Sequence, residues 1–348
     1  MTTPEANKYG LTTTGATALV RRMDQRLGLV DRLLEEIKAT NALLAPDRIT
    51  AEMARRFLKD PDSVDLSSFK TIDDDAAEIL SRHAGSLWLY GLTSLSDAAA
   101  KALSRHEDWL RLDGLTSLGD AAAALSRHEG WLSLCGLTSL DVATAEILSN
   151  HKGDLSLNGL TSLGDAAAAL SRHEGWLSLD GLTSLGDAAA KALSSHKESL
   201  WLNGLTSLNV ATAEILSNHK GDLHLDGLTS LSDAAAEALF CHEGALHLDG
   251  LTSLSAAAAK ALSRHEGELW LCGLTSLSDA AAEALSRHKG RLLDILDLSG
   301  LTSLSDAAAK ALSRHKGELY LDGLTSLSDA AAKALRRNRD VFLPKRFR

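Results

Sequence analysis

The chain has 348 residues, 45% of them apolar and 24% charged, with 4 prolines against 26 glycines. That balance excludes a disordered or collagen-like chain, and the length fits either two ordinary domains or one elongated array. Cysteine at Cys135, Cys241 and Cys272 is too sparse for a disulfide framework, and the polar start MTTPEANKYG with no later membrane-length apolar run sets the expectation of a cytoplasmic protein.

The net charge of −10 is unevenly spread. Residues 64–335 carry 20 Lys and Arg against 36 Asp and Glu, whereas residues 336–348, RRNRDVFLPKRFR, carry 6 against 1. An acidic middle repels phosphate backbones, so nucleic acid is not an expected ligand there. The basic end is a candidate contact for an acidic partner, though short charge clusters are usually solvated.

In chain order, the first element expected is a helix over residues 15–44, where Leu19, Val20, Met23, Leu27, Val30, Leu33, Leu34 and Ile37 recur at helical spacing. Thr50 is placed to cap a second helix that buries Met53, Phe57 and Leu58. Residues 1–63 therefore read as a helical cap over the first strand of the region beginning at residue 64.

From residue 64 to 340 the chain repeats. With the first leucine of LxLxGLTSL as position 1, units begin at Val64, Leu87, Leu110, Leu132, Leu155, Leu177, Leu200, Leu223, Leu246, Leu269, Leu296 and Leu319. Most are 23 residues long; those at Leu110 and Leu155 lose one residue at GDAAAAL, and the one at Leu269 gains four in HKGRLLDILDL. Leucines at positions 1 and 3 alternate at the period of a strand, while Leu at 6, 9 and 17 with small residues at 13 and 16 forms the apolar stripe of a helix. Ser-Asp at positions 10–11 supplies the helix N-cap. Glycine at position 5 suits a tight exit from the strand, and glycine at position 22 suits the helix stop. One such unit cannot bury its own apolar face, so the units stack into an α/β solenoid with a concave parallel sheet and convex short helices. Residues 341–348 are read as a last strand and a basic tail.

Residues 64–343 resemble the leucine-rich repeat family, most nearly its cysteine-containing class, on the pattern LxLxGLTSLSDAAAKALS. Leucine stands where that class has cysteine (Leu92, Leu115, Leu137), and the polar Asn ladder of the common class is expected to be absent, with Thr-Ser at positions 7–8 satisfying the turn instead. The resemblance implies a binding scaffold, without naming a ligand.

Positions 5 to 20 are nearly constant from unit to unit, whereas position 2, position 4 and the residue before position 1 vary, and these three share the concave face. All six tryptophans fall there. The candidate ligand-binding residues are Trp88, Tyr90, Trp109, Arg111, Asp113, Trp131, Trp176, Asp180, Trp201, Asp222, His224, Asp226, His247, Asp249, Glu268, Trp270, Tyr320 and Asp322. Indoles among carboxylates suit a cationic protein or peptide, with carbohydrate, or no dedicated ligand at all, as the alternatives.

Eleven histidines occupy position 20, from His83 to His315, at the helix C-terminus, where an imidazole can bond free carbonyls. A role repeated in every unit is structural. His224 and His247 differ: they lie at position 2 of adjacent units with Asp226 and Asp249 nearby, a minor candidate for Zn²⁺ that the open sheet supports poorly. No GxSxG, P-loop, GxGxxG or HExxH segment occurs, so neither an enzyme nor a cofactor is expected.

Overall fold

The computed structural model describes residues 47–290 and 294–348. The helical spacing of residues 15–44 lies outside them.

Leucine-x-leucine yields very short strands. A two-stranded parallel sheet pairs β1 (Arg48–Ile49) with β2 (Thr71–Ile72). The main sheet holds twelve parallel strands, each beside its sequence neighbours: β3 (Leu87–Trp88), β4 (Leu110–Arg111), β5 (Leu132–Ser133), β6 (Leu155–Ser156), β7 (Leu177–Ser178), β8 (Leu200–Trp201), β9 (Leu223–His224), β10 (Leu246–His247), β11 (Leu269–Trp270), β12 (Ile295–Asp297), β13 (Glu318–Tyr320) and β14 (Val341–Phe342). Position 1 pairs with position 1 throughout the repeats, as in Leu87↔Leu110 and Leu223↔Leu246. The four-residue insertion leaves this intact, because Leu269 still pairs with Leu296. Between strands run helices such as Asp97–Leu103, and the one-residue deletions are absorbed where those helices start. There the helices shorten to Ala121–Leu125 and Ala166–Leu170, and Gly119 and Gly164 turn at φ of 51° and 50°, which only glycine takes easily.

Leucines at positions 1, 3, 6 and 17 form the core, as Leu87, Leu89, Leu92 and Leu103 show at 0% exposure. Each such burial contributes roughly 1.5–3 kcal/mol. Alanines at positions 13 and 14 (Ala99, Ala100) are as deeply buried and let neighbouring helices approach. The expected N-caps form: Ser96 accepts a hydrogen bond from the Ala99 amide at 3.0 Å, with Asp141 and Asn209 doing the same where serine is replaced.

Several expectations need correction. The unit at Val64 contributes no strand to the main sheet, since residues Leu66–Ser68 form a 3₁₀ turn and the sheet begins at Leu87. The repeat reaches further back on the helical side: Ile49 pairs with Ile72, and Thr50 caps the helix Ala51–Lys59. Met53 is buried on that helix and Phe57 packs partly against the core, but Leu58 faces outward at 37% exposure. Glycine at position 5 does sit in the tight exit from the strand, but without a positive φ, and its small size has a further cause. A Cβ on Gly136 would lie 2.2 Å from the Asp113 carbonyl oxygen and 2.5 Å from that of Leu115, so the residue is small because two backbones nearly touch. The turn itself is closed by the backbone, with the Leu92 amide donating to the Leu89 carbonyl at 3.1 Å. Among the described position-7 threonines, Thr93, Thr302 and Thr325 help by donating their hydroxyls to carbonyls of the preceding unit.

The histidine column is buried and stacked, beyond the carbonyl bonding expected of it. From His106 to His315 the rings are buried, and successive rings from His83 onward stack nearly parallel, 5.9–6.5 Å apart between centroids with tilts of 1–13°. Phe57 closes the first end edge-on against His83 at 5.0 Å. The rings also meet backbone carbonyls: His151 Nε2 reaches the Asp154 carbonyl at 3.3 Å, and weaker backbone hydrogen bonds at Trp131, Trp176, Asp222 and Ala245 partly oppose the lowering of the His128, His173, His219 and His242 pKa values. His242 thus lies inside the solenoid, and only its neighbour Cys241 is exposed. The spacing also explains the curvature. Strands sit about 4.8 Å apart and packed helices about 8–10 Å apart, and the rings near 6 Å mark the fan between them, with the sheet on the inner side.

The basic end is tied to the array. Arg336 Nε donates to the Phe347 carbonyl at 2.8 Å, Arg346 Nη2 to that of Leu324 at 2.7 Å, and Arg348 Nε to that of Leu343 at 2.8 Å.

Candidate functional site

Because strand side chains alternate, position 1 points to the core while position 2 points out of the open face, joined there by position 4 and the residue before position 1. The structure divides the candidate residues among three places.

At one end, Trp88 (53% exposed) and Tyr90 stand at the sheet edge, and the Arg111 guanidinium lies 5.5 Å from the Tyr90 ring. Arg111 also donates through Nε and Nη2 to Asp113 Oδ2 at 3.1 and 2.8 Å. Asp113 Oδ1 in turn accepts from Ser133 Oγ and from the Cys135 amide. Burial pushes the Asp113 carboxyl up, but the hydrogen bonds from Ser133, Cys135 and Arg111 outweigh it and hold the group below its ordinary value. Asp113 is therefore engaged through both of its oxygens within the sheet.

In the middle, Trp109, Trp131, Trp176 and Trp201 line one cleft of about 230 Å³. Its floor is Ser156 and Ser178, small residues on the adjacent strands β6 and β7, and its polar wall is Asp154, Asn158 and Asp180. Trp109 and Trp131 meet edge-to-face at 5.1 Å, while Trp176 and Trp201 stack at 6.4 Å. Trp109 and Trp176 keep about half their surface exposed, at 54% and 51%. Asp154, Ser156, Asn158 and Ser178 stand in the variable columns of the open face but were not among the candidate ligand-binding residues. The available signal was three consecutive position-2 serines (Ser133, Ser156, Ser178), which leave a hollow between bulkier neighbours.

From there a ring stack continues across five strands: Trp176, Trp201, His224, His247 and Trp270 follow one another at 6.4, 4.7, 3.9 and 5.2 Å. Burial, followed by repulsion from His247, lowers the His224 pKa to about 4, and burial lowers His247 too, so both imidazoles are stacked as neutral rings at pH 7. The same stacking argues against zinc. Rings parallel within 12° direct their nitrogen lone pairs side by side, and among the described residues no three His, Cys, Asp or Glu gather as a metal site. Farther along, Glu268 accepts from Trp270 Nε1 at 3.2 Å, and Tyr320 stacks on Phe342 at 4.5 Å while donating to Glu318. Asp322 is exposed at the outer end.

The carboxylates have a second occupation. Asn158, Asp180, Asn203, Asp226 and Asp249 each accept, through Oδ1, the amide of the position-4 residue in the next unit, at 2.8–3.0 Å. Asp154 and Asp222 do the same one column earlier, for the Trp176 and Ala245 amides at 2.9 Å. A polar ladder is thus present after all, displaced from position 6 to the open face. It ties strands together where the two-residue ladder runs out of backbone partners, and it accounts for Asp and Asn at these positions without any ligand. Burial raises the Asp226 carboxyl, with the neighbouring Asp249 charge adding to it. Cys272 offers no nucleophile, since burial pushes its thiol up to about 12.

Among the described residues, eleven units of about 23 residues, each with one parallel strand, leucine inward at positions 1, 3 and 6 and a closing helix, with Val341–Phe342 as a twelfth strand, decide the architecture. The chain is a leucine-rich-repeat solenoid. No protein-family model and no curated protein matches it. Among solved structures, the solenoid is similar to an internalin of Listeria monocytogenes, at 15% identity over 80% of this chain and 72% of that one, with a TM-score of 0.43. It is also similar to a leucine-rich-repeat protein of Leptospira interrogans, at 16% identity over 83% and 97% of the two chains, with a TM-score of 0.29. Among the described residues of the solenoid, no helix is long and apolar enough to cross a membrane.

Proposed function

We propose that the solenoid is a non-enzymatic interaction scaffold whose open sheet face binds a cationic segment of a protein partner. The observation that carries this reading is the central cleft, where four indoles converge beside Asp154 on the inner face of an acidic array. Half-exposed tryptophans contribute little to the fold but are strong anchors at interfaces. A cation over an indole gains about 0.5–1 kcal/mol in the open and about 2 kcal/mol when water is excluded. The acidic surroundings add long-range attraction that speeds encounter and fades with salt.

The test replaces Trp109, Trp131 and Trp176 by alanine together. Their rings lie outside the leucine core, so the circular dichroism spectrum should not change, while binding of a Lys/Arg-rich peptide should be lost. Retained binding would refute the reading. Carbohydrate binding makes a separate prediction, affinity for an oligosaccharide that hardly responds to ionic strength. The paired hydroxyls and amides of the cleft leave few groups for sugar hydroxyls: Ser178 Oγ donates to Asn158 Oδ1 at 2.7 Å, and Asn158 Nδ2 to Asp180 Oδ2 at 3.3 Å.

A further inference from the structure

The cleft between Trp131 and Trp176 has a composition that separates one kind of cation from another, provided that the open face takes a cationic segment as proposed above. Trp131 and Trp176 leave from the same position on β5 and β7, so their backbones are two strand spacings, about 9.6 Å, apart. Asp154 leaves from that position on β6, between them. A positive centre midway would stand about 4.8 Å from each strand's column, within the ~6 Å range over which an indole face attracts a cation. Trp109 extends one wall and Trp201 the other.

The hydrogen-bonding inventory then limits which cation fits. Ser178 Oγ is engaged with Asn158 and Asp180, Ser156 Oγ lies 3.3 Å from Cys135 Sγ, and the Asn158 amide donates to Asp180. Asp180 Oδ1 already accepts the Asn203 amide, and Asp154 Oδ1 accepts that of Trp176. Among the described residues, Asp154 Oδ2 is the carboxylate oxygen of the wall that no hydrogen bond occupies, the second oxygen of a carboxylate that holds the Trp176 amide with its first. A guanidinium brings five N–H donors and a primary ammonium three on a strongly hydrated head, and burying either against one free carboxylate oxygen and the serine hydroxyls leaves donors poorly paired. A fully methylated ammonium has no N–H, spreads its charge over its methyl groups, and needs only π faces and one counter-charge. A cleft of about 230 Å³ admits one such group but lies below the usual range of roughly 300–1,000 Å³ for whole-ligand pockets, so the rest of the ligand must lie outside it.

We propose that this cleft binds the trimethylammonium head of a trimethylated lysine carried by the partner segment, with Trp109, Trp131, Trp176 and Trp201 as the walls and Asp154 as the counter-charge.

The experiment is a titration of the full chain, followed by tryptophan fluorescence and by calorimetry, with two peptides that differ only in trimethylation of one lysine. Trimethylation should tighten binding about tenfold or more. Asp154→Asn keeps an Oδ1 acceptor for the Trp176 amide, as Asn158 and Asn203 do in their own units, so it should fold normally and lose most of that preference. Tetramethylammonium chloride should compete, but far more weakly than the modified peptide. Equal affinity for the two peptides overturns the inference while leaving the cationic-segment reading standing. Failure of both peptides, together with salt-independent behaviour, overturns both. Tetramethylammonium binding as tightly as the modified peptide also overturns it, because the occupant would then be a free small cation. Unchanged preference in Asp154→Asn removes the assigned counter-charge and counts against it as well.

Discussion

The buried histidine column should make the solenoid unusually sensitive to mild acid. Burial, with repulsion from stacked neighbours, lowers His128, His173 and His219 to about 4 and His242 and His288 to about 3. In the unfolded chain each titrates near 6.5. The folded values lie below the unfolded one, so the unfolded chain binds more protons and stability rises with pH. The contribution is complete above about pH 6.5 and is lost progressively as pH falls toward 4 and then 3. Between pH 7 and pH 5 each of these five groups costs about 2 kcal/mol, on the order of 10 kcal/mol together. That is comparable to the whole stability of an ordinary domain, about 5–15 kcal/mol. His106, His151, His196, His265 and His315 are lowered as well and act in the same direction, though carboxylates such as Asp294 beside His315 oppose the shift there. Urea titrations followed by far-UV circular dichroism at pH 7, 6 and 5 should show the midpoint falling steeply at each step. His219→Phe keeps an aromatic ring in the column, and whatever it costs at pH 7 it should reduce the loss between pH 7 and pH 5 by about 2 kcal/mol. A midpoint that stays constant from pH 7 to pH 5 would refute the reasoning.

Backbone approach at position 5 predicts that Gly136→Ala, whose Cβ would meet the Asp113 carbonyl oxygen at 2.2 Å, destabilises by at least about 2 kcal/mol, read as a fall in thermal midpoint. Gly186 is the reverse case. It sits at a helix N-cap with no side-chain hydrogen bond and open space around it, so Gly186→Ser should stabilise by a few tenths of a kcal/mol, seen in urea denaturation. Asp226→Ala should cost about 1–3 kcal/mol by leaving the Asp249 amide without its acceptor, whereas Asp226→Asn should be nearly neutral, since Asn203 fills the same role one unit earlier. Leu225→Ala, at a fully buried position 3, should cost about 2–5 kcal/mol in the same assay.

Period and phase were readable from residue type because leucine, alanine, glycine and serine each recur for a reason that acts within one unit. Leu87, Ala99 and Ser96 are set by strand alternation, helix contact and capping, and all three appear where local chemistry puts them. What escaped the sequence depends on the neighbouring unit. The role of Gly136 is defined by carbonyls 21 to 23 residues earlier, and the Asp–Asn ladder by amides 22 or 23 residues later, so neither can be seen inside one repeat. The same holds for the site. All six tryptophans lie on or at the edge of the open face, but the hollow between Trp131 and Trp176 exists because Ser156 and Ser178 are small on intervening strands. Conversely, Asp113, Asp180, Asp226 and Asp249 looked like free charges and turn out to accept amides of the next unit, as Asp154 does with one of its two oxygens. His224 and His247, a minor zinc candidate from their spacing, stack on one another at 3.9 Å.

The most direct test of the central claim is fluorescence titration of the intact chain with a Lys/Arg-rich peptide at low and at physiological salt, alongside the Trp109→Ala, Trp131→Ala, Trp176→Ala triple variant. Tryptophan emission should change saturably with peptide, the binding should weaken steeply with salt, and the change should disappear in the variant. Emission unaffected by the peptide, or equal binding by a normally folded variant, would contradict the claim.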